Sequence, residues 1–448
     1  MKHILDKFMN MGLQEGELFY LNSIKEEIGF ENNKLKTVNT SQNSGVALRA
    51  VKDGKLGYVT SSNLDDVDSM IENLIKVAQY SPQKQFDFSK NQKFQEKKYS
   101  NNRVGDMSIE KLMEDGHKAI DIIRRYDDNV LVSLDFSKEE QEVTLVNTND
   151  VNVSYKKDIF SVYMSGNLIK GTSFIGEGVG QKNTYGKCDI EEMAENIIEK
   201  ISMAKQEASF MPGNKTVIFT PKALTEVFLT LQEGVNGGAI ARKISPLCNK
   251  LGEKIISDKI TIFDDGTMED GASSMPFDDE GTPAQRTLLV KNGVLNSYLH
   301  SLRTATQVGQ DPTGNGLRTQ NLFHYKIHDI PPRADITNWI IEGGNVKYED
   351  MVADITDGII IDDIIGIFMN NLINGDFAGN IGMGYVIKNG KIAGRVKEAA
   401  INANIYDVFL NNVVALSDRN YNCSLFGNIG THKMPYIMLK DINIAGKK

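Results

Sequence analysis

Histidine pairs on a helix commonly hold a catalytic zinc ion, so the six histidines of this chain are the first candidates for chemistry. None of them has HExxH or HExxxH spacing, which would place two imidazoles on one helix face beside a glutamate that activates water. The closest pair, His324 and His328, lies in the segment HYKIH, whose residues alternate with the period of a β-strand. That period puts Lys326 on the face of both histidines, where its charge would repel a cation. We therefore predict a solvated strand face here and no metal site.

Acidic residues cluster at 264–265, 278–280 and 362–363. Carboxylate oxygens bind Mg²⁺ and Ca²⁺, but none of these clusters has the ligand spacing of an EF-hand loop. The segment FDDEGTP is bounded by Pro276 and contains Gly281, which is typical of a turn before a strand. We interpret the acidic clusters as caps of solvated turns.

Cys423, in the segment RNYNCSLFGN, is the candidate nucleophile. A nucleophilic cysteine needs a partner base and an electropositive setting, and the sequence places neither beside it. The chain has no GxSxG elbow, and the glycine-rich segment GEGVGQ at 176–181 lacks the GK[ST] of a phosphate-binding loop. A half-buried structural thiol is the simpler interpretation, and the nucleophile remains the alternative.

Composition limits the classes of function that are open to the chain. Its 448 residues suffice for two or three domains, and a net charge of −9 without a basic stretch argues against direct binding of nucleic acid. Three well-separated cysteines indicate free thiols in a reducing compartment. The N-terminus lacks the apolar core of a signal peptide, and no apolar run reaches transmembrane length. A cytoplasmic protein that does not enter the membrane is expected.

The first 212 residues have patterns of both strands and helices. Asp53-Gly54 separates two runs of β-forming residues and predicts a hairpin. Helical periodicity predicts helices over 67–78, 108–126 and 190–207, and strands with turns at 147–150 and 165–167 fill the stretch from 130 to 180. We divide this part into an N-terminal α/β domain, 1–100, and a central α+β domain, 101–212.

The remaining residues, 213–448, are predicted to form a β-rich C-terminal domain. Asn292-Gly293 and Asn389-Gly390 each lie between alternating apolar runs, which is a strong signal for a hairpin. The predicted fold class is α+β, with N-terminal α/β layers followed by a large, mainly antiparallel C-terminal domain that forms a curved sheet or barrel.

One segment of this domain, FLTLQEGVNGGAIARK at 228–243, combines features of a site. An apolar helical stripe that includes Leu224, Phe228 and Leu231 leads into a glycine-rich turn and the basic pair Arg242-Lys243. Just before it, Thr220-Pro221 has the residue types of a helix N-cap and first turn. Such a segment can hold catalytic residues or only their frame.

The chain resembles the TldD/PmbA family, also called TldD/TldE, over nearly its whole length. The resemblance lies in LGEKIISDKITIFDDGT (251–267), in PFDDEGTPAQRTLLVKNGVLNSYLHSLRTATQVG (276–309) and in NGDFAGNIGMGYVIKNGKIAGRV (374–396). The segments 57–82 and 411–446 fit the same family. The older name of the family, modulator of DNA gyrase, refers to a genetic connection.

The resemblance implies one of two subunit types. The TldD type is a zinc protease subunit with HExxxH ahead of an RK-type pair and a C-terminal cysteine ligand, whereas the TldE (PmbA) type lacks the histidines and associates with it. Aligned on Arg242-Lys243, the histidine places fall on Leu229 and Gly234, and the glutamate place falls on Thr230. The resemblance therefore implies the PmbA/TldE type.

From this resemblance we expect a non-catalytic subunit of a cytoplasmic metalloprotease that acts on peptides or unfolded proteins. We expect no cofactor in this chain and zinc only in a TldD-type partner. The expected partner is either this TldD-type subunit or a second copy of the chain in a dimer. The residues expected to bind substrate or line the cavity are Glu233, Gly237, Gly238, Arg242, Lys243 and Cys423. The alternative is a self-sufficient homodimeric peptidase or amidase that uses Cys423 or an acidic cluster.

Overall fold

The first half of the chain forms a single antiparallel sheet. The computed structural model describes residues 2–94, 99, 104–171, 173–186, 188–319, 327–423 and 430–446. The strands of this sheet are β1 (Glu15–Glu31), β2 (Lys34–Lys52), β3 (Lys55–Ser61), β4 (Val130–Asn147), β5 (Asn152–Lys170) and β6 (Ser173–Asn183). They lie in the order β3-β2-β1-β4-β5-β6, so sections 1–100 and 101–212 contribute three strands each to the same sheet. The hairpin at Asp53-Gly54 is confirmed, with both residues at positive φ.

The helices of this half include the three predicted from the sequence, and two of these begin at side-chain caps. They are α1 (Lys2–Asn10), α2 (Val67–Ala78), α3 (Ile109–Tyr126) and α4 (Ile190–Ala204). Ser108 accepts a hydrogen bond from the backbone N–H of Lys111 at the start of α3, and Asp189 accepts one from Glu192 at the start of α4.

The two faces of the sheet have different neighbours because side chains alternate along each strand. In β1, β4 and β5, even-numbered side chains such as Ile28 and Phe136 pack against α3 and α4 in one apolar core. Odd-numbered side chains of these strands, such as Phe19 and Val143, face the C-terminal half and pack in a smaller core with Phe277. The odd face is therefore the one that can contribute to a site between the two halves.

The turn predicted at 165–167 is wrong, because β5 continues through these residues to Lys170. A Cβ atom on Gly166 would lie 2.8 Å from Cγ2 of Ile197 in α4. The glycine therefore allows a helix to pack closely on the sheet. The chain turns instead at Gly171, which has a φ of 62°.

Five strands of the C-terminal half close into a barrel. They are β7 (Gly213–Phe219), β14 (Asp357–Ile365), β15 (Asp376–Lys388), β17 (Ala399–Asn404) and β21 (Ile437–Gly446). Around the barrel, β7 pairs with β21, then follow β17, β15 and β14, which pairs again with β7. The β7–β14 pairing is parallel and the others are antiparallel. The predicted α+β class with a mainly antiparallel barrel is confirmed.

A second C-terminal sheet has the order β10-β9-β8-β13-β20-β19. Its strands are β8 (Ile262–Asp265), β9 (Arg286–Lys291), β10 (Val294–Leu295), β13 (Trp339–Ile341), β19 (Tyr421–Cys423) and β20 (His432–Met434). The shorter pairs are β11 (Gly316–Leu317) with β12 (Arg333–Ala334), β16 (Lys391–Arg395) with β15, and β18 (Val413–Leu416) with β21. The hairpins predicted at Asn292-Gly293 and Asn389-Gly390 are confirmed, with positive φ at all four residues.

Short helices connect these strands. They are α5 (Pro221–Val227), α6 (Leu229–Val235), α7 (Gly237–Ala241), α8 (Leu302–Val308), α9 (Tyr348–Ala353) and α10 (Ile405–Asn411). Single turns of 3₁₀ helix cover Leu64–Asp66, Ile327–Asp329, Ile367–Met369 and Leu372–Asn374. In the part of the chain that the structure describes, no helix is both long and apolar enough to cross a bilayer.

A buried ion cluster joins the two halves. Arg49 of β2 donates hydrogen bonds of 3.0 and 2.8 Å to Oε1 of Glu17, and one of 2.8 Å to Oε1 of Glu280. All three residues are at most 4% exposed. The interpretation of 278–280 as a solvated turn is therefore wrong, and so is that of 264–265, because Asp264 and Asp265 are buried in β8. Arg49 neutralises Glu280, and the carboxylate of buried Asp278 accepts backbone hydrogen bonds within its own turn.

The solvated strand face predicted at HYKIH is wrong for His328, and His324 lies outside the described residues. His328 belongs to the 3₁₀ turn Ile327–Asp329 and is buried against β2. A Cβ atom on Gly45 would come within 2.1 Å of its ring. The hydroxyl of Tyr58 donates a 2.7 Å hydrogen bond to its carbonyl. Packing of this turn onto the first sheet therefore overrides the alternation in the sequence.

Candidate functional site

A cavity of about 790 Å³, which we call the charged pocket, lies where β6 and α4 meet the barrel. Thr220 at the end of β7 caps α5, since its hydroxyl accepts a 3.2 Å hydrogen bond from the N–H of Ala223, and Pro221 follows as predicted. The parallel pairing of β7 with β14 ends at Ile361, and the acidic pair Asp362-Asp363 follows directly in β14. The polar residues that line the charged pocket include Lys200, Thr220, Lys222, Glu226, Asp362, Asp363, Cys423 and Lys433.

Asp362 is the centre of a buried ion cluster in this pocket. Lys200 Nζ lies 3.0 and 2.9 Å from its two carboxylate oxygens, and Lys222 Nζ lies 3.8 Å from Oδ2. Burial opposes ionisation of Asp362, but the two ammonium groups hold its pKa well below the usual range. Burial also opposes the charge of Lys222, but the negative charge of Asp362 outweighs this effect and raises the pKa of Lys222. Asp362 thus stays ionised between two cations at neutral pH.

Two neighbouring carboxyl groups change charge close to neutral pH. Burial, and then the charge of Asp363, raises the pKa of Glu226 to about 8. Burial, and then Asp362, raises the pKa of Glu177 to about 7. Glu226 accepts a 3.0 Å hydrogen bond from the backbone N–H of Ile364, which fixes the side chain at the edge of the pocket.

Glu226→Gln is expected to remove part of the pH dependence of stability. A carboxyl whose pKa is raised in the folded chain stabilises the fold below its unfolded pKa of about 4.3. That stabilisation is lost as pH rises through the folded pKa, here about 8. Urea unfolding between pH 5 and 8 should therefore show wild type losing stability relative to Glu226→Gln as pH rises. Glu114→Gln, at an exposed position of α3, is the control and should follow wild type. A constant difference between wild type and Glu226→Gln would contradict this result.

Cys423 lies beside a histidine that the sequence does not connect with it. In the antiparallel pair β19–β20, Cys423 is directly opposite His432. Nε2 of His432, which is fully buried, lies 3.4 Å from Nε2 of Gln232 in α6. The first helix of the 228–243 segment, α6, and the strand with Cys423 therefore meet at His432.

The ionisation of this pair does not favour a thiolate nucleophile. Burial raises the pKa of the Cys423 thiol to about 12 and lowers the pKa of His432 to about 4. An active thiolate needs the opposite shift of the cysteine. The thiol points back to its own strand and donates a 3.4 Å hydrogen bond to the carbonyl of Tyr421. This arrangement suits the structural role.

Cys423 is expected to react with iodoacetamide at pH 8 at least about tenfold more slowly than in the unfolded chain, because a pKa of about 12 leaves little thiolate. Peptide mapping by mass spectrometry after timed alkylation measures the rate at this residue alone. The same chain in urea provides the reference rate. Faster labelling in the folded protein than in urea would identify an activated thiol and contradict the structural role.

The 228–243 segment forms two helices, α6 and α7, which meet at Asn236. The apolar stripe of Leu224, Phe228 and Leu231 is confirmed, because all three are buried in the core of the C-terminal half. Asn236 ends α6 and caps α7, since its side chain accepts a 2.8 Å hydrogen bond from the N–H of Gly238.

The places at which the resemblance would put zinc ligands do not fit a metal ion. Leu229 and Gly234 have no donor atoms in their side chains, and the hydroxyl of Thr230 donates to the carbonyl of Val227. A Cβ atom at Gly234 would lie 2.2 Å from Oη of Tyr406, so that hydroxyl takes the space a larger side chain would need. In the described ranges, no three His, Cys, Asp or Glu side chains are grouped so that they could hold a metal ion.

Of the six residues predicted to line the cavity, Cys423 lines the charged pocket and the other five lie elsewhere. Gly237 allows a close backbone approach, because its N–H donates a 2.7 Å hydrogen bond to the carbonyl of Leu299 and a Cβ atom would lie 2.4 Å from that oxygen. Gly238 is the next residue of α7.

The charged members of this group lie around the end of α7. The guanidinium of Arg242 donates a 3.0 Å hydrogen bond to the carbonyl of Gly238, and Lys243 follows in the left-handed region with a φ of 58°. Burial is the main cause that raises the pKa of Glu233, and the charge of Asp335 adds to it. The charge of Arg242 partly opposes this rise. These contacts brace the helix pair rather than form the pocket wall.

The residues that dominate the pocket were not among those predicted. Only the 362–363 pair had a signal, an acidic pair directly after the apolar run GIII, and its interpretation as a solvated cap is wrong for buried Asp362. Lys200 and Lys222 lie 162 and 140 positions before Asp362 in the chain. Nothing in the sequence distinguishes them from lysines that are exposed to solvent. The fold alone brings these charges together.

A second cavity of about 800 Å³, which we call the sheet cavity, lies against the odd face of the first sheet. Its opposite wall comes from the C-terminal half and includes Met275, Leu317 and Arg318. Tyr163, Gly180 and Gln181 line both this cavity and the charged pocket, so the two spaces are neighbours.

Comparison with protein families matches almost all of this chain. The PmbA/TldA metallopeptidase domain 1 matches residues 16–78, the PmbA/TldA metallopeptidase central domain matches 102–205, and the PmbA/TldA metallopeptidase C-terminal domain matches 212–446.

Individual relatives agree with this match. An uncharacterized protein of Methanocaldococcus jannaschii is 30% identical over 414 residues, which are 90% of this chain and 93% of that protein. A metalloprotease TldD homolog of Buchnera aphidicola subsp. Acyrthosiphon pisum is 24% identical over 89% of this chain and 84% of its own. The crystal structure of TldE from Thermococcus kodakarensis has the same fold, with a TM-score of 0.90 over 100% of both chains at 24% identity.

Proposed function

The chain belongs to the PmbA/TldD metallopeptidase family, and we propose that it acts there as a PmbA/TldE-type subunit without zinc chemistry of its own. It completes a cytoplasmic protease whose TldD-type partner contains the zinc ion. Its own contribution is to hold peptides or unfolded segments, and it neither acts on nucleic acid directly nor binds membranes.

The observation that carries this proposal is the identity of the residues at the three positions of α6 that correspond to the zinc motif. Leu229, Thr230 and Gly234 replace the histidines and the glutamate that metal-assisted hydrolysis needs. Tyr406 supports the same conclusion, because its buried hydroxyl lies where a side chain at position 234 would begin. The frame around the site is retained while its chemistry is missing.

The neighbouring cavities support a role in holding peptide. Together they offer apolar side chains and charged groups on their walls, and a peptide can contact both. A chain that passes Tyr163 and Gly180–Gln181 can enter both spaces.

The outer edge of β2 supports the same role. Strand β3 pairs with β2 only from Val46 onward, and among the described residues no strand pairs with the outer side of 34–45. Asn39 and Ser41 lie opposite Glu27 and Lys25, which line the sheet cavity. An extended peptide added at this edge would therefore lie beside the cavity, with its backbone hydrogen-bonded to β2.

Affinity purification from the native cell tests the proposal. The chain, tagged at its own locus, is expected to isolate with a TldD-type chain that contains HExxxH, in a ratio of about 1:1 for a two-subunit complex. The tagged TldD-type chain should capture this protein in the reciprocal experiment. Quantitative isolation of this chain alone, or only with further copies of itself, would contradict the proposal.

The self-sufficient peptidase remains the rival function, and the Cys423–His432 neighbours are the observation in its favour. The high pKa of the thiol argues against it. Cys423→Ala separates the two functions, because any cleavage by the isolated chain should be unchanged in the variant unless the thiol is the nucleophile.

A further inference from the structure

We propose that Lys157 forms a carboxylate-binding subsite in the sheet cavity, which holds one end or one acidic side chain of an otherwise apolar peptide. This inference rests on the peptide-holding role proposed above and names the chemistry that such a peptide must have. It depends on the position of Lys157, on the pairing of the charges around it and on the apolar walls of the cavity.

Lys157 points into the sheet cavity from β5. It lies on the odd face, between Tyr155 and Ile159 and directly opposite Gln141 of β4, and all four residues line the cavity. The residue is only 7% exposed. Its neighbour Lys156 faces the other side of the sheet, where its side chain is 69% exposed and pairs with Glu142 at 3.5 Å. The two adjacent lysines therefore have opposite environments.

The charge of Lys157 has no partner in direct contact. Among the described residues, its ammonium group makes neither a hydrogen bond nor an ion pair of 4.0 Å or less, although Asp279 and Glu139 act on it at longer range and Lys182 opposes them. Burial lowers the pKa of Lys157 to about 8, which leaves the amine mostly protonated at pH 7. A buried cation without a contacting anion is unfavourable, and a bound carboxylate removes that penalty.

The acidic groups that face the same cavity already have partners. Glu27 pairs with Lys25 on β1, and Glu139 accepts a 2.8 Å hydrogen bond from Gln141. Asp279 accepts a 2.6 Å hydrogen bond from the backbone N–H of Arg318. Burial, and then Glu27, raises the pKa of Asp135, which weakens its negative charge. Among the other cations that line the cavity, Lys25 pairs with Glu27, Arg318 lies 4.0 Å from Oε1 of Glu17, and Lys182 has an interaction of its own. Lys157 is thus, among the described residues of this cavity, the cation without a contacting partner.

The rest of the cavity wall defines the ligand further. Side chains such as Phe19, Leu21, Val143 and Leu317 form the apolar parts of the wall around Lys157. A volume of about 800 Å³ accommodates a short peptide of roughly two or three residues. The fitting ligand is a carboxylate attached to apolar groups. Its remaining chain would continue past Tyr163 into the charged pocket.

Isothermal titration calorimetry with three short peptides tests the proposal on the full chain. Acetyl-Ala-Ala-Leu has a free C-terminal carboxylate, its C-terminal amide has none, and acetyl-Asp-Ala-Leu-amide has the carboxylate on a side chain. Wild type is expected to bind at least one of the carboxylate peptides about tenfold more tightly than the neutral amide, since a charge-assisted contact contributes about 1.5–3 kcal/mol. The carboxylate peptide that binds more tightly identifies the source of the group.

Variants assign the effect to Lys157. Lys157→Gln should abolish the preference for carboxylate peptides, Lys157→Arg should keep most of it, and Lys156→Gln is the matched control that should behave as wild type. Equal binding of all three peptides by wild type, or a preference that persists in Lys157→Gln, would overturn the proposal.

A second measurement needs no variant and so does not depend on how Lys157→Gln folds. Acetic anhydride acylates exposed and buried amines at rates that mass spectrometry can resolve by residue. The preferred carboxylate peptide should slow acylation of Lys157 at least about threefold while Lys156 is unaffected, because an ammonium group in contact with a carboxylate is less often deprotonated. Unprotected Lys157 at saturating peptide would contradict the subsite. None of these experiments needs zinc or a partner, so the subsite and the subunit role can fail independently.

Discussion

Arg49→Met is expected to lower the free energy of unfolding by about 3–5 kcal/mol, because it leaves two buried carboxylates without their shared cation. Arg49 donates three hydrogen bonds to Glu17 and Glu280, and the three residues are almost completely buried. Burial opposes the charge of Arg49, but the two glutamates hold the pKa of its guanidinium above the usual value. Since Glu17 belongs to the first sheet and Glu280 to the C-terminal half, the loss should also loosen the contact between them.

Urea unfolding, followed by far-UV circular dichroism, measures this effect. Arg124→Met is the control, because Arg124 makes an exposed ion pair with Asp128 on the surface of the molecule. Such pairs contribute about 0–1 kcal/mol. Equal stability of the two variants would show that the buried cluster does not hold the two halves together.

Asp362→Asn is the second change with a large expected effect, a loss of about 2–4 kcal/mol in the free energy of unfolding. The amide cannot balance the charges of Lys200 and Lys222, which lie at 2.9 and 3.8 Å from Oδ2 of Asp362. The expected loss is smaller than for Arg49 because both lysine side chains keep some access to solvent, 16% and 26%.

Asp363→Asn is the matched control for this change. Asp363 is the next residue of β14, but its side chain is 29% exposed and lies 3.6 Å from Lys222. We expect a loss of at most about 1 kcal/mol for this partly exposed pair. Chemical denaturation at pH 7 compares the two variants. A larger loss in Asp363→Asn would contradict the assignment of Asp362 as the centre of the cluster.

Local features of the fold could be predicted because their causes are local. The Asn-Gly and Asp-Gly turns need residues that tolerate positive φ, and the structure has such turns at 53–54, 292–293 and 389–390. The cap at Thr220 depends on a hydroxyl next to the first turn. The failure at Gly166 has a different cause, since its glycine serves packing against a helix that follows much later in the chain.

The candidate site depends on contacts between distant segments, and these leave little trace in one sequence. Asp362 and Lys200 form their contact across 162 positions, and Arg49 reaches Glu280 across 231. Asp362 and Glu280 look like parts of solvated caps in the sequence, but they are buried because these cations meet them in the fold. By contrast, the sequence itself shows that positions 118–299 contain no histidine. The expectation that Leu229 and Gly234 cannot hold zinc therefore needs no knowledge of the fold.

The most direct test of the subunit role measures zinc content and peptide cleavage on the same purified chain. The protein, expressed without a partner and incubated with zinc, is expected to retain less than about 0.1 equivalent after gel filtration, because α6 lacks the ligands of a zinc site. It should leave unfolded casein and short peptides intact, and cleavage should begin only when a TldD-type chain is added. One tightly bound zinc ion per chain, together with cleavage by this protein alone, would contradict the account.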